Sequence, residues 1–406
     1  MPSINPARVL ADLNRLRDFG RFKTGVHRPS LSAEHNAACH WFAGRMAEAG
    51  LETNIDGIGN VYGVAPGAAR RLLTGSHLES QNQAGWLDGP LGVVYGLEAA
   101  RVINRDPAFA GRAIDVAVWF DEEGHFGNFL GSRSFVDGLA DADIDAGVDR
   151  TDGRPLRDAL GRAGLAGKPR RRVTPAEYIG YLEAHIEQGD WLEAHGLKLG
   201  IVTSIVGIWQ FRITFAGTQN HAGTTRMAIR RDAGLSCAEL CCAIARRFPQ
   251  VAAERTVWTT GRITLDPGAP SIIPGRAEML LQVRDADLAV LQRMEGELAS
   301  LVAASNRAGP CHATLESLRK SYPAVMDATF QAALEAASEA AAPGVHTRMP
   351  SGAGHDAQIL SKVMPAGMLF VPSIGGISHH WTENTADDDI VTGAQAFATA
   401  CAALLS

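Results

Sequence analysis

The run Ala113-Ile-Asp-Val-Ala-Val-Trp-Phe120 places the strongest constraint on how this 406-residue chain folds. Apolar side chains at successive positions describe a strand buried on both faces, which is the condition inside a helix-covered sheet. A second apolar strand is expected over Gly367 to Pro372, and Tyr178 to Glu187 alternates like a strand. Helical periodicity follows Gly92 (Val93 to Ile103) and recurs at Thr329 to Ala341, His355 to Val363 and Asp389 to Leu405. This alternation is the mark of an α/β domain. The chain is longer than one core usually holds, so two domains are expected.

The second domain is expected inside the first. From Ile208 the predicted order is a strand to Phe215, a helix over 230–247, strands at 255–265 and 276–284, a helix over 285–305, and an extended stretch at 311–318. A βαββαβ order suits a small antiparallel sheet covered by two helices. The expected architecture is therefore a large α/β domain with a mixed central sheet flanked by helices, over residues 1–207 and 323–406. An α+β unit at 208–322 interrupts it.

Composition narrows the function classes. Hydrophobic residues make up 46% and charged residues 20%, with a net charge of −6 and no long basic block, so nucleic-acid binding is not expected. No apolar run is long enough to span a bilayer, and Met1-Pro-Ser-Ile-Asn-Pro lacks the regions of a signal peptide. The six cysteines show no zinc-ribbon spacing, and a cytoplasmic protein with reduced thiols is expected.

The chemistry gathers at strand ends. Leu72-Leu73 leads into Gly75-Ser-His-Leu-Glu-Ser and on to Leu87-Asp-Gly-Pro-Leu-Gly92, so His77 should end a strand and Asp88 should precede a helix. Ligand sites of open α/β sheets collect at that edge. A lone His followed by a capping Asp is as readily structural, and the pair gains meaning only from further ligands. Asp121-Glu-Glu-Gly124 closes the buried strand, and adjacent carboxylates there are costly unless a cation neutralises them; a solvated strand end is the alternative. His185 and His379 stand at other expected strand ends or glycine-rich turns. The candidate ligand set is His77, Asp88, Glu123, His185 and His379. Five ligands exceed one catalytic zinc site, whereas two ions bridged by Asp88 would use them all. His77 and His185 would hold one ion, Glu123 and His379 the other. Glu122 is left over as the general base that takes a proton from the attacking water. The chain carries no Gly-x-Ser-x-Gly, His-Glu-x-x-His, phosphate-loop or dinucleotide motif.

These residues lie in longer motifs. Gly-Ser-His-Leu…Leu-Asp-Gly-Pro-Leu-Gly, Asp-Glu-Glu-Gly…Phe-Leu-Gly-Ser-Arg, His-Ile-Glu-Gln-Gly, Asn-His-Ala-Gly-Thr-Thr, Ser-Gly-Ala-Gly-His-Asp-Ala and Gly-Gly-Ile-Ser-His occur in that order. The chain thereby resembles the M20 metallopeptidase superfamily and, within it, the hydantoinase/carbamoylase branch of N-carbamoyl-L-amino acid hydrolases, β-ureidopropionases and allantoate amidohydrolases. The resemblance runs from Gly25-Val-His-Arg-Pro29 to the C-terminus. It implies two divalent ions, zinc first with manganese, cobalt or nickel as alternatives, on the five ligands above, with Glu122 as the catalytic glutamate. It implies that the inserted domain serves as a dimerisation and lid domain. His221 would reach the partner subunit's site to stabilise an oxyanion, and Arg284 would bind the substrate carboxylate. Gln188 would lie near the metals, and with His355 it is grouped among the substrate-binding residues.

Three departures border the substrate. Glu79 stands where the branch usually has an Asp that orients the ligand His. Ser271 replaces an Asn that helps hold the substrate carboxylate, and His380-Trp381 replaces Ser-Pro. The expected activity is hydrolysis of a linear amide, carbamoyl or ureido C–N bond in a small carboxylate-bearing molecule. A dipeptidase or aminoacylase on the same scaffold is the nearest rival, and an inactive binding protein is the rival of another class.

Overall fold

The computed structural model describes residues 2–406. They divide into two compact units, one up to Thr203 together with Val325–Ser406, the other Ser204–Ala324.

The first unit is built on a mixed sheet. In hydrogen-bonded order it runs Leu199–Ile205, Ala366–Val371, Tyr181–Ile186, Arg70–His77, Arg112–Trp119, Val61–Val64 and Glu52–Ile55. Ala366–Val371, Tyr181–Ile186, Arg70–His77 and Arg112–Trp119 pair in parallel, and the flanking pairs are antiparallel. The expected strand at 113–120 is the buried strand Arg112–Trp119, whose neighbours shield both faces. Helix Pro90–Ile103 packs on three of the parallel strands, and helix Asp387–Leu405 packs on that helix and on Ala366–Val371. Parallel strands all end at one edge, so His77, the Asp121–Glu123 turn, His185 and the loop carrying His379 converge there.

The helix after the Asp88 loop begins at a fixed point. Gly89 has φ +85°, and Pro90 opens the helix, where its missing N–H costs nothing. A Cβ on Gly89 would lie 2.5 Å from Nδ1 of His77, so the glycine permits both the turn and the close approach of the imidazole.

The second unit has a four-stranded antiparallel sheet in the order Val257–Asp266, Arg276–Asp285, Gly207–Ala216, His312–Lys320. Period-two alternation buries Trp209, Phe211, Ile213 and Phe215 from one strand and Ala277, Met279, Leu281 and Val283 from the next. Helices Ala233–Arg247 and Leu288–Ala308 cover that apolar face. The outer strand Val257–Asp266 is exposed along nearly its whole length, and it presents Val257, Ile263 and Leu265. Of the cysteines on helix Ala233–Arg247, Cys237 is buried, whereas Cys242 is exposed.

Candidate metal centre

Asp88 is the hub of the cluster. Its Oδ1 lies 3.1 Å from Nε2 of His185 and 3.4 Å from Nε2 of His77. Its Oδ2 lies 3.3 Å from Nε2 of His379, which is 3.6 Å from Oε2 of Glu123. Two groups of ligand-type atoms therefore share one carboxylate: His77, Asp88 and His185, and Asp88, Glu123 and His379. Oε2 of Glu122 is 3.9 Å from Nε2 of His77. The exposure is graded: the His77 side chain is 1% exposed and that of His379 51%, so the cluster opens to solvent on the His379 side.

The donor set fits divalent cations. Nδ1 of His77 faces the Glu79 carbonyl oxygen at 3.1 Å, and Nδ1 of His185 faces that of Ile186 at 2.8 Å. A carbonyl oxygen only accepts, so each Nδ1 carries a proton and each Nε2 points at Asp88, where it can hold a second proton or a metal ion. Nε2 of His77 is buried without a hydrogen-bond partner, an orphaned polar atom that a cation beside Asp88 would satisfy; burial works against charge on His77, yet Asp88, Glu122 and Glu79 raise its pKa well above the ordinary value. Charges respond in the same sense. Burial works against Asp88 ionising, yet the facing imidazoles hold its carboxyl well below the ordinary range. Burial pushes Glu122 and Glu123 upward, and their carboxylates repel each other. Burial disfavours charge on His379, but Asp88 and Glu123 outweigh it and raise its pKa to about 9. The protons held by His379 and the carboxyls are the ones that a cation would displace.

Several supporting contacts come from Gln81, Arg150 and Glu383, which no sequence motif singles out. Gln81 donates to both carboxylate oxygens of Glu123, from its backbone N–H at 3.2 Å and from Nε2 at 2.7 Å. Arg150 in turn donates to the Gln81 side chain and, at 3.2 Å, to the Glu123 carbonyl. The buried Glu383 accepts the Asp88 N–H at 3.1 Å with one oxygen and the Ser378 hydroxyl at 3.0 Å with the other. A Cβ on Gly85 would fall 1.8 Å from that carboxylate, so only glycine leaves it room. Gln188 Nε2 donates to Asp88 Oδ2 at 3.0 Å and to Ser378 at 3.1 Å, in keeping with its expected place near the metals. Asp121 is no ligand candidate here; its carboxylate accepts the Ser30 hydroxyl and the N–H groups of His125, Phe126 and Gly127. Asp121, Gln188 and His379 all have left-handed backbone, with φ of 58°, 60° and 55°. Side chains held in such loops are costly and persist where surrounding contacts over-determine them.

Two sequence expectations change. The Glu79 carboxylate, which stands where the branch usually has the Asp that orients the ligand His, lies 3.8 Å from Nδ1, and the Glu79 main-chain carbonyl fills that role instead. The carboxylate accepts the Glu122 N–H at 2.6 Å. His355, grouped with the substrate-binding residues, is 1% exposed and bonds Ser351 at 2.9 Å. Its ring stacks edge-on behind His185 at 4.6 Å, so it supports a ligand candidate from the protein interior.

Of the remaining candidates, His221, Ser271 and Arg284 belong to the second unit. His221 lies on the two-residue strand Asn220–His221, paired with Ile272–Ile273, and the Ser271 carbonyl accepts the Ala222 N–H at 2.9 Å. His221 and Ser271 are thus neighbours. Nδ1 of His221 accepts the N–H groups of Gly223 at 3.0 Å and Thr224 at 3.2 Å, so the ring presents Nε2–H as a donor. Arg284 Nε donates to Gln282 at 2.7 Å, and burial lowers the guanidinium pKa. Trp381 packs under the Lys23 ammonium, 4.1 Å from its ring centre, and its carbonyl accepts the Thr24 hydroxyl at 2.7 Å.

Comparison with known proteins identifies the family. Residues 66–403 match the family described as Peptidase family M20/M25/M40. The chain is 33% identical to an N-carbamoyl-L-amino acid amidohydrolase of Geobacillus stearothermophilus, over 97% of each chain. It is 31% identical to an allantoate amidohydrolase of Escherichia coli (strain K12), over 92% of each. A solved amidase of the hydantoinase/carbamoylase family from Burkholderia phymatum superposes with a TM-score of 0.92 at 46% identity, covering 100% of this chain and 98% of that one.

Proposed function

This chain belongs to peptidase family M20/M25/M40, and from that premise we propose that it is a binuclear metal-dependent amidohydrolase acting on a linear amide, carbamoyl or ureido C–N bond. The observation that carries the reading is Asp88, whose two oxygens face two separate sets of ligand atoms, with the Glu122 carboxylate beside one of them. Zinc is the first expectation, and His77 with His185 and Glu123 with His379 would hold the two ions about the shared Asp88. Bound there, such ions polarise a scissile carbonyl and acidify water.

The protein's own groups do the rest. Glu122 takes the proton of the attacking water on its carboxylate and returns it to the leaving nitrogen. The turn at 221–224 fixes His221 as an Nε2–H donor, the form suited to a developing oxyanion. Arg284 offers a planar fork to a substrate carboxylate. Ser271 next to His221 is shorter than Asn and leaves room beside that carboxylate. The exposed strand Val257–Asp266, with its apolar side chains, supports a homodimer through the second unit. His221 would then complete the site of the other subunit.

The test is a panel of N-carbamoyl, N-formyl and N-acetyl amino acids and dipeptides, assayed with metal-loaded and chelated protein. The expected result is turnover of carboxylate-bearing carbamoyl or ureido compounds, lost on chelation and restored by close to two ions per chain. Full activity after chelation overturns the metal reading. Turnover of dipeptides alone transfers the chain to the dipeptidase reading.

A further inference from the structure

We propose that Glu79 is a positioning residue for Glu122, and that the orientation of His77 does not depend on the side chain at 79. The proposal rests on the reading of Glu122 as general base.

The Glu79 carboxylate is fully buried at the floor of the cluster. Oε1 accepts the Glu122 N–H at 2.6 Å and lies 3.4 Å from the Glu123 nitrogen. It thereby anchors the peptide from which both carboxylates project. His77 needs nothing from this side chain, because its Nδ1–H already has the Glu79 main-chain carbonyl at 3.1 Å. The second carboxylate oxygen is buried without a hydrogen-bond partner, and His35 Nε2 lies beyond hydrogen-bond range at 3.6 Å. Nδ1 of His35 accepts the Leu31 N–H at 3.1 Å, so the imidazole proton sits on Nε2, beside the Cys39 sulfur at 3.4 Å. Arg28, fully buried, donates to the Leu78 carbonyl at 2.6 Å and so pins the residue between His77 and Glu79. The main chain before Glu79 is thus fixed, and the Glu79 carboxylate holds the Glu122 turn from below.

Side-chain length decides the contact. An aspartate at 79 would end about 1.5 Å short. The Glu122 N–H would then be beyond hydrogen-bond range of any carboxylate oxygen. A shift of that size in a catalytic group typically lowers turnover by about a hundredfold. Glutamine keeps an acceptor oxygen at the full reach but sets an amide N–H against the Nε2–H of His35, so its cost is smaller.

The experiment compares Glu79→Asp, Glu79→Gln and Glu122→Gln. Turnover and KM are measured with metal-loaded protein, metal affinity by chelator competition, and hydrogen exchange of the 120–126 segment in the chelated protein. Glu79→Asp is expected to lower kcat roughly 10- to 100-fold with KM and metal affinity unchanged, and to speed exchange at the Glu122 amide. Glu79→Gln is expected to lose less than Glu79→Asp. A role in orienting His77 predicts the reverse order, with weakened metal binding and unchanged exchange, and that result overturns the proposal. Should Glu79→Asp not fold, Glu79→Gln carries the test: a kcat loss and faster exchange at the Glu122 amide with intact metal affinity support the proposal, and wild-type kcat and exchange overturn it. Undiminished turnover by Glu122→Gln overturns the general-base reading and this proposal with it, whereas an inactive Glu122→Gln beside a fully active Glu79→Asp removes the proposal alone.

Discussion

Adjacent glutamates with different surroundings separate base from ligand. Glu123 accepts two hydrogen bonds from Gln81 and shares a group with His379, while Glu122 lies beside His77 with only its backbone N–H tied down. Glu122→Gln is therefore expected to keep both ions and lose turnover by roughly 10²- to 10⁴-fold, the usual worth of a positioned acid/base. Glu123→Gln is expected to lose metal as well; metal content and kcat on the two proteins decide the assignment, and the opposite pattern reverses the roles. His35 gives a pH signature. Burial and the nearby Arg28 lower its pKa from the ordinary 6.5 to about 3. Between those values the unfolded chain binds a proton that the folded chain does not. Its contribution to stability is complete above pH 6.5 and falls as the pH drops toward 3, by up to about 1.4 kcal/mol per pH unit. Denaturation of chelated wild type and His35→Gln across pH 4–7 should show a shallower loss in the variant.

At the scale of elements, the start of helix Pro90–Ile103 is the most exacting joint. Gly89 combines a positive φ with a Cβ position 2.5 Å from the His77 ring and 2.6 Å from the His77 carbonyl. Gly89→Ala must strain the turn, at about 1–2 kcal/mol for a left-handed alanine, and push the imidazole off its line to Asp88. The expected outcome is a lower Tm together with weaker metal binding, read by calorimetry and chelator competition. A variant with wild-type metal affinity would show that the His77 ring has slack. The parallel strands around this joint were readable because burial on both faces demands apolar side chains at consecutive positions. Strand His346–Ser351 gave no comparably clear pattern, because it mixes His, Thr, Arg, Met, Pro and Ser, whereas helix Pro6–Asp18 carries a legible one in its Asn5 cap and in Val9, Leu13 and Leu16 on one face.

For the whole molecule, the proposed site is distributed between subunits, and that is testable without knowing the natural substrate. Inactive His221→Ala mixed with inactive Glu122→Gln should regenerate activity in exchanged heterodimers, since one site per dimer would contain neither substitution. No recovery despite exchange demonstrated by native mass spectrometry would mean that each chain works alone.

What the sequence by itself determined was the kind and place of the chemistry. Buried strands announce themselves locally, and the motifs at their ends carry the ligand types, so His77, Asp88, Glu122, Glu123, His185 and His379 were legible as a set. Only the tertiary structure decided how they are aimed. That each Asp88 oxygen faces a different group depends on strands far apart in the chain. Glu383 reaches Asp88 across 295 residues, and no spacing rule encodes such a contact. The direction of the Glu79 carboxylate was likewise invisible: the choice between His77 and the Glu122 N–H depends on the position of both, set by packing of separate elements. Ligand identity is a local property of the chain; ligand geometry is a property of long-range packing, where a change of about an ångström redirects a hydrogen bond.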